Sequence, residues 1–451
     1  MKRLKLSLIL LVGIGVSHCY AQAPLTLQEA LKFAINNNQG LARTKMEEEM
    51  GKFKTAEVRA QALPQINGNA NYTDNLQLAK SILPGDVIGQ PGKNLAVAFG
   101  VKYSTSAGAE LNQQLFNQSV FTGLKAAKAG EEYYKLQTQQ STEDLIYNVA
   151  QLYYELLITQ ENIKSLDSNV QKLSTLVTVT KSQYENGLAK KIDLDRIKVN
   201  LTNYQTQRIQ LLNQYAMQTN NLKRVMGMPL ESAFVIPAAS LKDIESSAAQ
   251  VLQYEDISLE DRTEMKVLRK QEELQIFQKK AYQAEYYPSL SLFGRYSYNG
   301  MSNHWMFDKN DLNSTLWYGT SAVGLSLRVP IFDGFGRRSK VSQANVAIRQ
   351  LKYAMDETKL ALNTQYENSK LAMRTNITAI QTQKENMDLA NEVYYSTQNN
   401  YSLGLAGLTD LLNAETSLTD AQNSYNAALL QYKLAELDMI KSKGNLKSLL
   451  N

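Results

Sequence analysis

Residues 131–186 and 337–403 contain neither proline nor glycine. No other feature restricts the fold as strongly. In a helix interior proline costs about 3 kcal/mol and glycine about 1 kcal/mol relative to alanine, so their joint absence permits very long uninterrupted helices. The eight prolines, at positions 24, 64, 84, 91, 229, 237, 288 and 330, all avoid residues 92–228 and 331–451. Apolar spacing supports the helices directly. Leu145, Val149, Leu152, Leu156, Ile163, Leu166, Val170, Leu173 and Val177 keep a 3-4 rhythm, with polar Thr159 at the one missing beat. The rhythm resumes after Gly187 at Leu194, Ile197, Leu201, Tyr204, Leu211, Tyr215, Leu222 and Val225. A sustained period near 3.5 residues predicts coiled-coil contact along a seam. At 1.5 Å per residue, a helix from near Ser119 to Gly187 spans on the order of 100 Å, too long for a compact globular domain. The remaining helix surface is rich in Gln, Asn, Ser, Thr and Tyr. A helix with water on more than one side suits a single-layer wall around an aqueous lumen better than a solid bundle.

The chain also repeats itself. Leu63-Pro64-Gln65-Ile66 returns as Tyr287-Pro288-Ser289-Leu290, and Gln114-Leu115-Phe116-Asn117 as Pro330-Ile331-Phe332-Asp333. Tyr184 with Gly187-Leu188-Ala189 returns as Tyr401 with Gly404-Leu405-Ala406. Asp193-Leu194 returns as Asp410-Leu411, and Gly227 as Gly444. The constant order and nearly constant spacing indicate an internal duplication. The expected organisation is a leader over 1–21, a first repeat over 22–228, a connecting segment over 229–260 and a second repeat over 261–451.

Strand signals lie between the helical blocks. Ile66, Ala70 and Tyr72 alternate with Asn67, Asn69 and Asn71. Leu290, Leu292, Tyr296 and Tyr298 alternate with Ser289, Ser291 and Arg295, while Phe293 falls out of phase. Residues 103–115 and 321–329 supply partners, the latter with Val323, Leu325, Leu327 and Val329 on one face. Alternation over about ten residues is what a transmembrane barrel strand requires. Residues 74–99 and 299–320, with Pro84-Gly85, Pro91-Gly92 and Asn310-Asp311, read as surface loops. Each half therefore runs helix, strand, loop, strand, long helix, tip turn, return helix. The fold class is mainly α with a transmembrane β segment.

Composition narrows the function. Lys2, Arg3 and Lys5 precede an apolar run from Leu6 to Val16 and small residues near Ala21, the layout of a secretory signal peptide. Cleavage after Ala21 removes the single cysteine, Cys19, and with it any thiol chemistry; lipidation of Cys19 is the alternative, for which His18 before it is a poor fit. The formal charge of +5, from 48 basic against 43 acidic residues, becomes +2 without Lys2, Arg3 and Lys5. That balance offers no footprint for nucleic acid. His304 is the only histidine beyond His18, so no catalytic triad or imidazole metal site can be assembled, and neither an enzymatic role nor a cofactor is expected. No segment approaches the roughly 20 apolar residues of a membrane-spanning helix, so entry into a membrane must be by strands. Four strands cannot close a barrel, and bacterial barrels begin at eight. Copies must pool their strands: two give eight, three give twelve, and the arithmetic does not choose between them.

The duplicated unit resembles the TolC-like outer membrane efflux protein family. The resemblance is carried by Leu25-Thr26-Leu27-Gln28-Glu29-Ala30-Leu31 with Asn36-Asn37-Asn38, by Val329-Pro330-Ile331-Phe332-Asp333-Gly334, and by Tyr184-Glu185-Asn186-Gly187-Leu188. It covers essentially the whole chain after the leader. It implies a homotrimer in outer-membrane lipid, with a twelve-strand β-barrel and a twelve-helix periplasmic tunnel. A periplasmic adaptor and, through it, an inner-membrane pump are the implied partners. The implied function is the exit duct of a tripartite efflux or secretion system, with small molecules such as drugs as cargo. The alternatives are a protein-secretion channel or, outside the duct class, a periplasmic coiled-coil adaptor. The resemblance further implies adaptor docking at Gly187, Leu188, Ala189, Gly404, Leu405 and Ala406, although the glycines could equally serve only the turns. It places a pore constriction at Asp410, Asn413 and Tyr401. Asn413 departs from the family's two-aspartate pattern, and Ala406 stands where a basic partner is usual, so the closed-state network should differ here.

Overall fold

A computed structural model describes residues 25–84, 89, 91–92, 94–237, 258–305 and 315–450. The leader expected over 1–21 lies outside the described residues, as do parts of the connecting segment and of both loops. Two compact units emerge. One comprises residues 43–139 and 260–360, the other residues up to 42, 140–259 and from 361 onward.

The first unit carries a four-stranded antiparallel sheet ordered β1 (Gln65–Asp74), β4 (Tyr103–Phe116), β5 (Ser289–Ser302) and β6 (Leu316–Arg328). The central pair joins the two repeats, from Tyr103 opposite Ser302 to Phe116 opposite Leu290, with a register shift between Gln114 and Phe116. Among the described residues the outer strands β1 and β6 each have one neighbour only. On β6, Val323, Leu325 and Leu327 share a face and are 78%, 63% and 65% exposed. Aromatic side chains gather near one end of the sheet: Tyr298 stacks on Trp317 with centroids 5.4 Å apart, and Trp305 meets the edges of Tyr72 and Tyr103. A separate hairpin, β2 (Lys80–Pro84) with β3 (Asn94–Ala98), occupies part of the stretch expected to be loop. Its strands of five residues were too short to show an alternation.

Helix α5 (Thr263–Ala284) and all but the first turn of α2 (Gln39–Ala60) belong to this unit, with the first parts of α3 (Gln118–Glu185) and α6 (Gly336–Ser402). The repeated strand-to-helix corner has a common purpose. Asn117 Oδ1 accepts from Ser119 N at 3.0 Å, and Asp333 Oδ2 accepts from Arg337 N at 2.8 Å. Each side chain thus satisfies a helix-start N–H that lacks an intrahelical partner. Arg337 also donates to the Glu285 carbonyl at 3.0 Å and stacks over Tyr286, which fixes the corner from a second side.

The second unit is a coiled coil with a capped root. Its long elements are the remainders of α3 and α6, α4 (Lys191–Met226) and α7 (Leu408–Ser442). No helix among the described residues is long and apolar enough to cross a membrane. The short helix α1 (Leu27–Asn37) begins with a capping box, in which Glu29 N donates to Thr26 Oγ1 and Thr26 N to Glu29 Oε2. It buries Ala30, Leu31 and Ala34 among Leu156, Leu222 and Leu429. Asn38 links α1 to the end of α4 by donating to the Val225 carbonyl at 2.7 Å, while its Oδ1 accepts from Leu41 N. The N-terminal hallmark is therefore a structural clasp. Further along the coil Leu166, Leu173, Ile197, Tyr204, Leu408 and Leu412 form a separate cluster. Polar residues also occupy the seam: Asn169 Nδ2 and the Tyr204 hydroxyl both donate to Thr419 Oγ1, at 2.8 and 3.2 Å. Thr159, the missing beat, is buried and donates to the Glu155 carbonyl of its own helix.

Candidate functional site: the hairpin tips

Both long hairpins turn in the same way. Gly187 and Gly404 adopt φ of +76° and +75°. At the first tip Gly187 N donates to the Tyr184 carbonyl and Leu188 N to that of Gln183. At the second, Gly404 N donates to Tyr401 and Leu405 N to Asn400. This is the Schellman arrangement, in which glycine takes the left-handed position and two orphan helix carbonyls are satisfied. It leaves Leu188 and Leu405 80% and 77% exposed, with Ala189 and Ala406 half-buried behind them. Two large apolar side chains are thus held out on rigid turns, although neither turn needs a leucine there.

The return helices start differently. On α7 the Asp410 carboxylate accepts from Gly407 N at 3.0 Å. Glycine offers no side chain in return, so only half of a capping box exists. Asp410 and Asn413 are both exposed on α7, while Tyr401 is half-buried and packs against Leu408 and Leu411. Asp410 therefore has a local structural duty besides any role in a pore. Arg196, which the sequence reading passed over, donates to Thr409 Oγ1 at 3.2 Å and ties the starts of α4 and α7 together.

Beside the tips the four helices border an open crevice of about 640 Å³, with Leu188, Ala189, Gly404 and Ala406 among its lining residues. Leu173, Leu176, Leu411 and Tyr394 line it together with polar residues that include Lys190 and Asp193. Glu415, another lining residue, is 3% exposed, and burial pushes its pKa up to about 7 against the opposing charge of Lys172. Glu415 was missed because a lone glutamate in a helix reads as a solvated one. Spacing carried the signal: Leu408, Leu411, Glu415, Leu418, Gln422 and Tyr425 continue a 3-4 seam. Among the described residues no group of three or more His, Cys, Asp or Glu could hold a metal ion.

A duplicated chain with four sheet strands and two long helical hairpins has the build of an outer-membrane channel protomer. Comparison with known proteins agrees. The sequence model described as "Outer membrane efflux protein" matches residues 30–228 and 256–445. The chain belongs to the outer membrane efflux protein family. It is a protein of the outer membrane with a long helical periplasmic part. It is 24% identical to the alkaline protease secretion protein AprF of Pseudomonas aeruginosa, over 72% of this chain and 66% of that protein. It is 22% identical to the outer membrane protein TolC of Vibrio cholerae, over 86% of this chain and 83% of that protein. Among solved structures, CusC covers 94% of this chain and 93% of its own at a TM-score of 0.73 and 15% identity. The outer membrane protein VceC of Vibrio cholerae covers 93% and 96%, with a TM-score of 0.70 and 15% identity. These structural likenesses establish the fold.

Proposed function

We propose that three copies of this chain form a passive exit duct through the outer membrane, serving a tripartite system that expels small molecules such as drugs. The observation that carries the reading is the sheet whose two edge strands have no outer partner among the described residues, with an exposed apolar face on β6. Lipid tolerates no open edge, so β1 of one copy must meet β6 of the next. Exposed Ile192, Val199, Ile209 and Met217 on α4 give neighbouring copies apolar helix surface to cover. The duplicated plan, 22–228 and 261–451 around a 229–260 connector after a 1–21 leader, goes with this assembly. The tips at Gly187, Leu188, Ala189, Gly404, Leu405 and Ala406 dock a periplasmic adaptor, which connects the duct to an inner-membrane pump. A second reading, export of a secreted protein, is favoured by the similarity to AprF and to the proteases secretion protein PrtF of Dickeya chrysanthemi, 20% identical over 98% of this chain.

Asp410, Asn413 and Tyr401 then ring the periplasmic neck, where like charges from three copies attract cations and repel anions. Mass measurement of the detergent-extracted protein should give a trimer, and planar-bilayer recordings should show a cation-preferring pore. Asp410→Asn is the informative change, because the amide oxygen keeps an acceptor for Gly407 N while the charge goes. The potassium-over-chloride permeability ratio is expected to fall in that variant. A monomer with a closed barrel would sink the assembly; unchanged selectivity would remove Asp410 from the pore.

A further inference from the structure

The duct reading makes no use of the carboxylate in the crevice beside the tips. Glu415 Oε1 is buried and has no hydrogen-bond partner. Thr180 on α3 also lines the crevice; it is 0% exposed and its Oγ1 is likewise unpaired. A buried carboxylate is costly until a proton, an internal cation or a bound cation neutralises it. The internal cation in the crevice, Lys172, acts on Glu415 only in part: its charge opposes the upward shift of the carboxyl without cancelling it, and its Nζ lies 5.0 Å from the centroid of the Tyr394 ring. A metal ion is a poor match, because hard cations require six or more oxygen ligands and this pair offers few. An organic cation matches better. The volume suits a small drug-sized molecule, the lining mixes leucine and tyrosine with polar side chains, and the Tyr394 ring already faces the Lys172 ammonium, which a ligand cation would rival.

We propose that the crevice binds a small amphipathic organic cation, an amidinium or ammonium on an apolar body, with its charge on Glu415 beside Thr180 and Tyr394. This goes beyond the duct reading, since a single folded chain contains the whole site and binding does not require conduction. Such a ligand pairs with the ionised carboxylate and shifts Glu415 away from its protonated form. With a pKa of about 7 in the free protein, the carboxyl must lose a proton to bind below neutrality and very little above it. Affinity therefore rises with pH between 6 and 8. The other charged or titratable groups facing the site are Lys172 from α3, Lys190, Asp193 and Tyr204 from the start and body of α4, and Tyr394 and Tyr401 from α6.

The test is isothermal titration of purified full-length protein with 4-butylbenzamidinium, using neutral 4-butylbenzamide as the shape match. The amidinium is expected to bind and the amide to bind at least about tenfold more weakly, the usual worth of a charge-assisted hydrogen bond. Glu415→Gln should lose that preference while melting at a higher temperature than wild type at pH 8, where the unpaired charge is gone. Lys172→Met, which removes the competing cation, should tighten amidinium binding. Equal binding of the two probes by wild type, or an undiminished amidinium preference in Glu415→Gln, would overturn the proposal. So would weaker binding in a folded Lys172→Met protein.

Discussion

Protein carrying glutamate at both Leu188 and Leu405 is expected to reach the outer membrane as normal oligomer and to export nothing. The two side chains are 80% and 77% exposed, and the turns beneath them are held by backbone hydrogen bonds that glutamate leaves intact. Surface changes of this kind usually stay within about 0.5 kcal/mol of wild-type stability. Docking is another matter. A partner surface that buries these leucines cannot bury two unpaired carboxylates per chain without a cost of several kcal/mol. The measurement compares oligomer recovered from outer membranes with survival of a deletion strain under a toxic compound. Leu166→Asp is the opposite case, since Leu166 is 5% exposed within the cluster of Leu173, Ile197 and Tyr204. Burying a charge there should cost about 4 kcal/mol or more, and the protein should fail to accumulate. Full export by the glutamate variant would show that the tips take no part in docking.

The second large effect separates two glycines that share a backbone conformation. Gly187 and Gly227 have φ of +76° and +75°, and both close a long helix in the same way. A Cβ on Gly187 meets nothing within 4 Å, whereas on Gly227 it lies 2.3 Å from the Asn37 carbonyl oxygen and 2.7 Å from its carbon. Alanine at 187 bears only the left-handed penalty, about 1 to 2 kcal/mol. Alanine at 227 bears that penalty and must also displace the junction of α1 and α2, which Asn38 ties to Val225. Thermal melts followed by circular dichroism are expected to show a small shift for Gly187→Ala and at least twice that shift for Gly227→Ala. Equal shifts would mean that the root gives way more easily than its backbone contacts indicate.

The long helices were legible because proline and glycine leave so clear a trace by their absence, and the ends of α3 fell within a residue or two of expectation. The four sheet strands were legible from alternation, although β5 and β6 extend further into the expected loop, to Ser302 and from Leu316. The polar seam was much harder to read. Asn169, Thr180 and Glu415 occupy seam positions, yet their residue types are those of solvated helix faces, and only the packing reveals that they are buried. Arg196 was invisible for a related reason, since its partner Thr409 lies on a helix remote in sequence. Tip geometry was readable from Gly187 and Gly404 alone, because a left-handed helix end strongly favours glycine.

The pairing of β4 with β5 carries a consequence for biogenesis. One strand ends at Phe116 and the other begins at Ser289, so the ribosome adds the whole first hairpin and the connector between them. At bacterial synthesis rates of about 5–20 residues per second, that interval is on the order of ten to thirty seconds. Until β5 is made, a β1–β4 ribbon would leave the β4 edge without the partner it has in the finished sheet. Such a ribbon is a nucleus for the wrong kind of pairing. The sheet of this chain can therefore be completed only after both repeats have been made, whatever the stability of the finished fold.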